Sequence, residues 1–178
     1  MAPTIVQAVW GAMPPVLMPM VADTAAFAAR RGYGYRLVEI ATVPVGYDAV
    51  RIAADVYRVR MLAEDAGAIW CDLDCVPHDT FEYADDGKPH CGYYPGADTA
   101  ECKAQPDTFL CYGPCAWWRN VLHLHGARIA TPCGIRKVLR DNADIVQIPA
   151  AQYAHAMYTI NKAMKCGRCG DNRKPMEA

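Results

Sequence analysis

The sequence lacks a long hydrophobic run, an excess of charge of either sign and a basic N-terminal region. No apolar stretch of about 18 residues or more occurs, so we expect no membrane-spanning helix. The formal net charge of −1 gives no chain-wide attraction to nucleic acid or to an anionic membrane. Residues 1–20 are apolar, carry no basic residue and are interrupted by prolines, which argues against a cleaved signal peptide. We therefore expect a cytoplasmic protein.

The composition is otherwise that of a globular protein, with one unusual feature, its cysteine content. Hydrophobic residues make up 53% and charged residues 21% of the 178 residues, enough for one domain with an ordinary core. The nine cysteines are an odd number. Without an export signal, reduced thiols or a metal site are favoured over a disulfide framework. Cys166 and Cys169 form a C-x-x-C pair that could be half of a structural Zn²⁺ site, with free thiols as the alternative.

Strand and helix patterns alternate along the first half of the chain. A β-branched run at residues 4–10 precedes an alanine-rich helical segment at residues 21–31 and a second strand pattern at residues 35–40. This order predicts an α/β fold with a mostly parallel central sheet. The further predictions are a helix at residues 50–66, strands at residues 68–71, 108–111 and 145–148, and a loop at residues 85–107.

Two carboxylates follow the third predicted strand, residues 68–71. Asp72 and Asp74 would point to opposite faces on a continuing strand, but a turn at residues 75–77 lets both converge on one point. Ligands of open α/β sheets bind outside the carboxyl ends of the strands. Two hard oxygen ligands there suit Mg²⁺ or Mn²⁺ carrying a substrate diphosphate. The alternative is that Asp-x-Asp marks an exposed turn.

The predicted helix at residues 50–66 carries a charged pair within its apolar stripe. Asp55 and Arg58 lie at positions i and i+3, on the same arc as Ile52 and Val59. Burying unpaired charge is costly, so such a pair needs an explanation. Either the two residues form an intrahelical ion pair, or both reach a polar ligand beside the sheet.

Read together, these segments resemble the glycosyltransferases with the DXD sugar-binding region, glycosyltransferase family 32 and its relatives. The family pattern is (Ala/Ser)-Asp-x-x-Arg, an aliphatic residue four positions later, Gly-Gly-Ile-Tyr and then Asp-x-Asp. Two departures are a spacing from Asp55 to Asp72 that is one residue longer and Ala68 in place of a glycine. The matching segments are Ala54-Asp55-Val56-Tyr57-Arg58, Leu62, Gly67-Ala68-Ile69-Trp70 and Asp72-Leu73-Asp74.

The resemblance implies a GT-A fold, the Rossmann-like fold of nucleotide-diphospho-sugar transferases. Such a domain would be a minimal single one at residues 1–165, and the polar composition of residues 166–178 indicates a tail that contains the C-x-x-C pair. It implies metal-dependent transfer of a sugar from a UDP- or GDP-sugar, with retention of anomeric configuration and with Mn²⁺ or Mg²⁺ as cofactor.

The resemblance also assigns roles to single residues. The catalytic set it implies is Asp55, Arg58, Asp72 and Asp74, in which Asp72 and Asp74 bind the metal and Asp55 and Arg58 also contact the donor. Gln7 and Trp10, in a segment similar to the family's opening strand, would lie against the nucleotide. His155 is a candidate third metal ligand.

The sequence does not choose the acceptor, which could be a glycan, a protein, a small molecule or a modified nucleic-acid base. Two other classes of function stay open. One is a zinc-containing module that binds nucleic acid or protein without catalysis, built around Cys166 and Cys169. The other is a metal-dependent phosphohydrolase, although such sites usually bring together more carboxylates or histidines than the sequence offers.

Overall fold

The computed structural model describes residues 2–42, 45–94, 105–131 and 134–155. These residues form a six-stranded sheet with helices on both faces and a separate two-stranded sheet. In chain order the strands and helices are β1 (Thr4–Trp10), α1 (Met18–Arg31), β2 (Gly34–Ile40), α2 (Tyr47–Glu64), β3 (Ala68–Cys71), β4 (Cys75–Pro77), β5 (His90–Tyr94), β6 (Gln105–Tyr112), α3 (Cys115–Ile129), α4 (Gly134–Arg140), β7 (Val146–Gln147) and β8 (Tyr153–His155).

The large sheet has the strand order β2-β1-β3-β6-β5-β7. β1 pairs in parallel with both β2 and β3, and β5 pairs in parallel with β7. β6 is antiparallel to its two neighbours, β3 and β5, so five strands run one way and one runs the other. This confirms the predicted α/β fold with a mostly parallel central sheet.

Alternate residues of each strand supply two hydrophobic cores. Along β3, Ala68 and Trp70 face a core that contains residues of α2, α3 and α4, whereas Ile69 and Cys71 face a core that contains Phe27 of α1. Every residue of β3 is buried, as expected for a central strand covered on both faces. Burying one large apolar side chain contributes roughly 1.5–3 kcal/mol, so the two cores hold the carboxyl end of β3 in a fixed place.

The structure differs from the predictions mainly between residues 85 and 107. This stretch was predicted as a loop, yet it contains β5 and the first residues of β6. The glycine that weakens the strand pattern, Gly92, is required by packing: a Cβ there would lie 2.5 Å from ring atoms of Phe109. The loop prediction was therefore wrong at residues 90–94 and 105–107, because the reason for the glycine lies in the neighbouring strand; residues 95–104 lie outside the described residues.

Smaller differences concern element boundaries. α1 begins at Met18 rather than at residue 21, because Pro19 occupies the first turn, where its missing N–H is tolerated. The last predicted strand is reduced to β7, two residues long. Cys166 and Cys169 and the predicted boundary between residues 165 and 166 lie outside the described residues. Among the helices of the described ranges, none is long and apolar enough to cross a membrane.

Candidate active site

Asp72 and Asp74 lie in a tight turn between β3 and β4. The N–H of Asp72 donates to the carbonyl of Phe109 at 2.7 Å, and the carbonyl of Asp72 accepts from the N–H of Cys75 at 3.0 Å. The first bond ties the turn to β6 of the central sheet, and the second closes the turn itself. The side chains of Asp72 and Asp74 are 25% and 22% exposed, so both carboxylates are reachable from solvent at the end of a buried strand.

β8 brings His155 to this turn from the far end of the described chain. β4 pairs with β8 in antiparallel register, with Cys75 opposite His155. The imidazole stacks on Phe109 at 4.0 Å between ring centres, and its Nε2 lies 3.5 Å from Oδ1 of Asp74. That Nε2 is buried and has no hydrogen-bond partner among the described residues.

The carboxylates and His155 do not form a closed metal site. Within the described ranges, no group of three or more histidine, cysteine, aspartate or glutamate side chains is arranged to hold a metal ion. Mg²⁺ and Mn²⁺ commonly use only one or two protein carboxylates and take further oxygens from substrate phosphates and water. The assignment of Asp72, Asp74 and His155 as ligands therefore stays a prediction.

Arg58 of α2 reaches across to the same turn. Its guanidinium is buried over the ring of Trp70, with 5.3 Å from Cζ to the ring centre. Its Nη2 lies 3.3 Å from Oδ1 of Asp72 and 3.5 Å from Oδ1 of Asp55. Burial lowers the pKa of Arg58, but the charges of Asp72 and Asp55 outweigh it, so the pKa is raised and the group is cationic.

Asp55 shares that guanidinium from one turn earlier in α2. Burial raises the pKa of Asp55 to about 6, although the charge of Arg58 opposes the shift. Burial also raises the pKa of Asp72, partly offset by Arg58 and by a 2.6 Å hydrogen bond from Nε1 of Trp70. Arg58 thus lies between the carboxyls of Asp55 and Asp72, and its charge does not cancel the effect of burial on the pKa of either one.

Gln7, in the middle of β1, forms a hydrogen bond with the backbone of the turn. Its side-chain amide donates to the carbonyl of Asp72 at 3.0 Å and accepts from the hydroxyl of Tyr35 at 2.9 Å. Gln7 is completely buried. Its polar groups are thus engaged within the protein, and its direct contact with a nucleotide stays a prediction.

Trp10, at the end of β1, borders an apolar cavity of about 590 Å³. Its ring meets that of Tyr57 edge to face at 5.7 Å, and Tyr57 in turn contacts Trp70 at 6.0 Å. These rings connect the cavity to the carboxylate turn through Trp70 and Asp72. The lining includes Trp10, Ile40, Ile52, Val56, Tyr57 and Arg60.

Three site residues were missed by the sequence analysis. Thr108 accepts a 2.7 Å hydrogen bond from Nη1 of Arg58. Asp107, also buried, pairs with Arg136 of α4 at 2.6 Å. Burial raises the pKa of Asp107, but the charges of Arg136 and Arg58 outweigh it, so its pKa is lowered. The only signal in the sequence was that the polar pair Asp107 and Thr108 directly precedes the apolar residues of β6.

Comparison with known proteins supports the fold and gives no relative by sequence. No protein-family model and no curated protein matches the chain. A solved structure, a glycosyltransferase involved in the glycosylation of the major capsid of PBCV-1, is similar with a TM-score of 0.56 and 10% identity, over 83% of this chain and 82% of that one.

A second solved structure is Drosophila β1,4-galactosyltransferase 7 in complex with manganese, UDP-Gal and xylobiose. It shows a TM-score of 0.46 and 12% identity over 99% of this chain and 82% of that one, a likeness too weak to support a conclusion. The likeness to the PBCV-1 enzyme, at its low identity, concerns the fold alone. This chain has the GT-A fold, the α/β fold of nucleotide-sugar transferases.

Proposed function

We propose that the chain is a metal-dependent glycosyltransferase, related to family 32, that moves a sugar from a nucleoside-diphosphate sugar to an acceptor with retention of configuration. The observation that carries the proposal is the meeting of Asp55, Arg58 and Asp72 at the carboxyl end of β3. A buried ion-pair network often adds little to stability, so it needs another reason to be present. In open α/β sheets, ligands bind outside the carboxyl ends of the strands, which is where this network lies.

In this proposal Asp72 and Asp74 hold Mn²⁺ or Mg²⁺, with His155 as a further ligand. The residues suit the ion because two part-exposed carboxylates supply hard oxygens and the buried Nε2 of His155, without a hydrogen-bond partner in the described chain, faces Asp74. The bound ion would supply Lewis-acid neutralisation of the charge that grows on the departing diphosphate.

Arg58 and Asp55 act on the donor. The guanidinium lies 3.3 Å or more from the carboxylate oxygens of both partners, longer than a strong charge-assisted bond, so it retains capacity to bind a phosphate. When it is ionised, which its pKa of about 6 allows at neutral pH, Asp55 accepts hydrogen bonds from hydroxyl groups of the donor sugar. No side chain is assigned as a nucleophile.

The nucleotide lies along the end of β1 in this proposal. The apolar cavity bordered by Trp10 and Tyr57 provides aromatic edges and faces for a planar base. Through Trp70 it connects to the turn that carries Asp72 and Asp74. Gln7 contributes by holding the carbonyl of Asp72. A UDP- or GDP-sugar is the donor class, in a catalytic domain at residues 1–165 followed by a tail at residues 166–178.

The acceptor is a glycan, a protein, a small molecule or a modified nucleic-acid base, and no described contact selects among them. The competing function, a zinc-containing binding module, depends on Cys166 and Cys169, which lie outside the described residues. It gives no reason for the buried pairing of Asp55 and Arg58 with Asp72, so we do not favour it.

The test is hydrolysis or binding of a panel of nucleotide sugars with Mn²⁺, in which the parent chain is compared with Asp72→Asn plus Asp74→Asn. The matched control is Asp79→Asn, an aspartate whose side chain is 77% exposed and pairs with Arg30. We expect slow, Mn²⁺-dependent release of one sugar by the parent and by the control, and loss of at least about a hundredfold in the double variant.

The opposite result is equally clear. If the parent neither binds nor turns over any donor, or if the double variant keeps its activity, the site does not hold a metal-bound diphosphate. Stoichiometric Zn²⁺ without nucleotide binding would then favour the zinc-containing module.

A further inference from the structure

The guanidinium of Arg58 is held between an uncharged hydroxyl and two carboxylates. Its Nη1 donates to Oγ1 of Thr108 at 2.7 Å, whereas the oxygens of Asp72 lie 3.3 and 3.4 Å from Nη2 and Nη1, and that of Asp55 lies 3.5 Å from Nη2. Charge-assisted bonds between a guanidinium and a carboxylate are normally about 2.7–2.9 Å. The shorter bond therefore goes to the neutral partner, and both carboxylates are kept at a longer distance.

The hydroxyl of Thr108 stands on a rigid support. Thr108 is completely buried in β6, the strand beside β3. Its N–H donates to Oδ1 of Asp107 at 2.7 Å, and Oδ2 of Asp107 pairs with Nη2 of Arg136 at 2.6 Å. Helix α4 is thereby tied to the backbone that carries the hydroxyl, so the acceptor of Arg58 cannot easily move toward the turn.

Asp72 is oriented from the other side by Trp70. The indole Nε1 donates to Oδ1 of Asp72 at 2.6 Å, while the ring of Trp70 lies against Arg58. The carboxylate and the guanidinium are thus restrained by different partners, Trp70 and Thr108. The result is a loose contact between opposite charges in which Asp72 keeps a quarter of its side-chain surface exposed.

We infer that Thr108 is a positioning residue: it keeps Arg58 from closing a tight ion pair with Asp72, so that the Asp72 carboxylate stays free to bind a divalent cation. The inference rests on the proposed function in one respect, the metal at Asp72. Without the hydroxyl, the buried guanidinium needs another acceptor, and the oxygens of Asp72 and Asp55 are the nearest charged ones. A closed ion pair is strong in a buried setting, and a cation would have to displace it.

The experiment compares two substitutions at position 108. Thr108→Val keeps the shape and removes the acceptor, whereas Thr108→Ser keeps the acceptor. Binding of Mn²⁺ alone is measured by calorimetry or by the electron paramagnetic resonance signal of free Mn²⁺. We expect Thr108→Ser to bind as the parent does and Thr108→Val to bind about tenfold more weakly. Thr108→Ala, expected to behave like Thr108→Val, replaces it if the valine variant does not fold.

A second readout needs no metal. In a crystal structure of the metal-free Thr108→Val protein, we expect a nitrogen of Arg58 within about 3 Å of an oxygen of Asp72. The serine variant should keep the longer distance. An unchanged Arg58 in the valine variant would overturn the inference, and so would equal Mn²⁺ affinity in the two variants.

The two readouts also separate this inference from the proposed function. If the parent binds no Mn²⁺, the proposed metal site is wrong, and the crystal structure alone then decides whether Thr108 restrains Arg58. If the parent binds Mn²⁺ and the valine variant binds it equally well, the metal site stands and the role of Thr108 is wrong.

Discussion

At the scale of the residue, Asp55 is a side chain whose pKa the fold raises, so that its charge depends on pH near neutrality. Its carboxyl is 13% exposed and shares Arg58 with Asp72. Burial moves its pKa to about 6, above the ordinary value, because the charges of Arg58 and Arg51 do not offset the lost solvation and the neighbouring charges of Asp107 and Asp72. A carboxylate in this state is a strong acceptor at neutral pH and is largely protonated below about pH 5.

This shift predicts how stability depends on pH. The folded state binds a proton at Asp55 more tightly than the unfolded state does. Protonation of Asp55 therefore stabilises the folded state; this contribution is fully present below pH 4 and is lost as the pH rises through about 6. We expect the free energy of unfolding of the parent to fall by roughly 3 kcal/mol relative to Asp55→Asn over that range. Denaturant unfolding at several pH values measures it, and parallel curves for the two proteins would contradict it.

At the scale of the element, the pairing of Arg136 with Asp107 joins α4 to β6. Arg136→Met would leave the Asp107 carboxylate buried beside fewer cations, which we expect to lower the free energy of unfolding by about 3–5 kcal/mol. Adding Asp107→Asn should recover most of that loss, because a neutral amide oxygen can still accept the N–H of Thr108. Urea unfolding of the single and double variants checks this; a double variant less stable than Arg136→Met alone would refute the buried-charge explanation.

The elements also show how far sequence reasoning reaches. β1 and β3 were predicted from continuous apolar or β-branched runs and α2 from its helical hydrophobic period, and the carboxylates that follow β3 were found by their place after an apolar strand. β5 was missed because Gly92 weakens the strand pattern, and the reason for this glycine is its packing against the ring of Phe109 in the neighbouring strand. Thr108 was missed because its partner, Arg58, lies 50 positions earlier in the chain. Local patterns report local structure, and contacts of this kind appear only when strands are placed side by side.

At the scale of the whole molecule, the proposed donor site includes residues of β1, α2, β3 and β8, so we expect ligand binding to stabilise the entire fold. A ligand that binds only the folded state at about 100 times its dissociation constant adds about 2.7 kcal/mol, which for a chain of this size raises Tm by about 5–10 °C. We expect this shift with Mn²⁺ plus the matching nucleoside diphosphate, and a much smaller shift for the nucleotide alone or for Asp72→Asn. Scanning calorimetry measures it, and equal shifts for Asp72→Asn and the parent would contradict a metal-bridged site.

The antiparallel strand β6 has a consequence for the order in which the site can be made. Asp55, Arg58, Asp72 and Asp74 all precede it in the chain, yet β6 supplies the carbonyl that fixes Asp72 and the hydroxyl that holds Arg58. As the polypeptide leaves the ribosome, the four charged residues therefore emerge before either restraint exists. The four charged side chains therefore reach their final arrangement only when β6 joins the sheet. A nascent chain that ends before β6 contains these four residues but not the contacts that hold them in place.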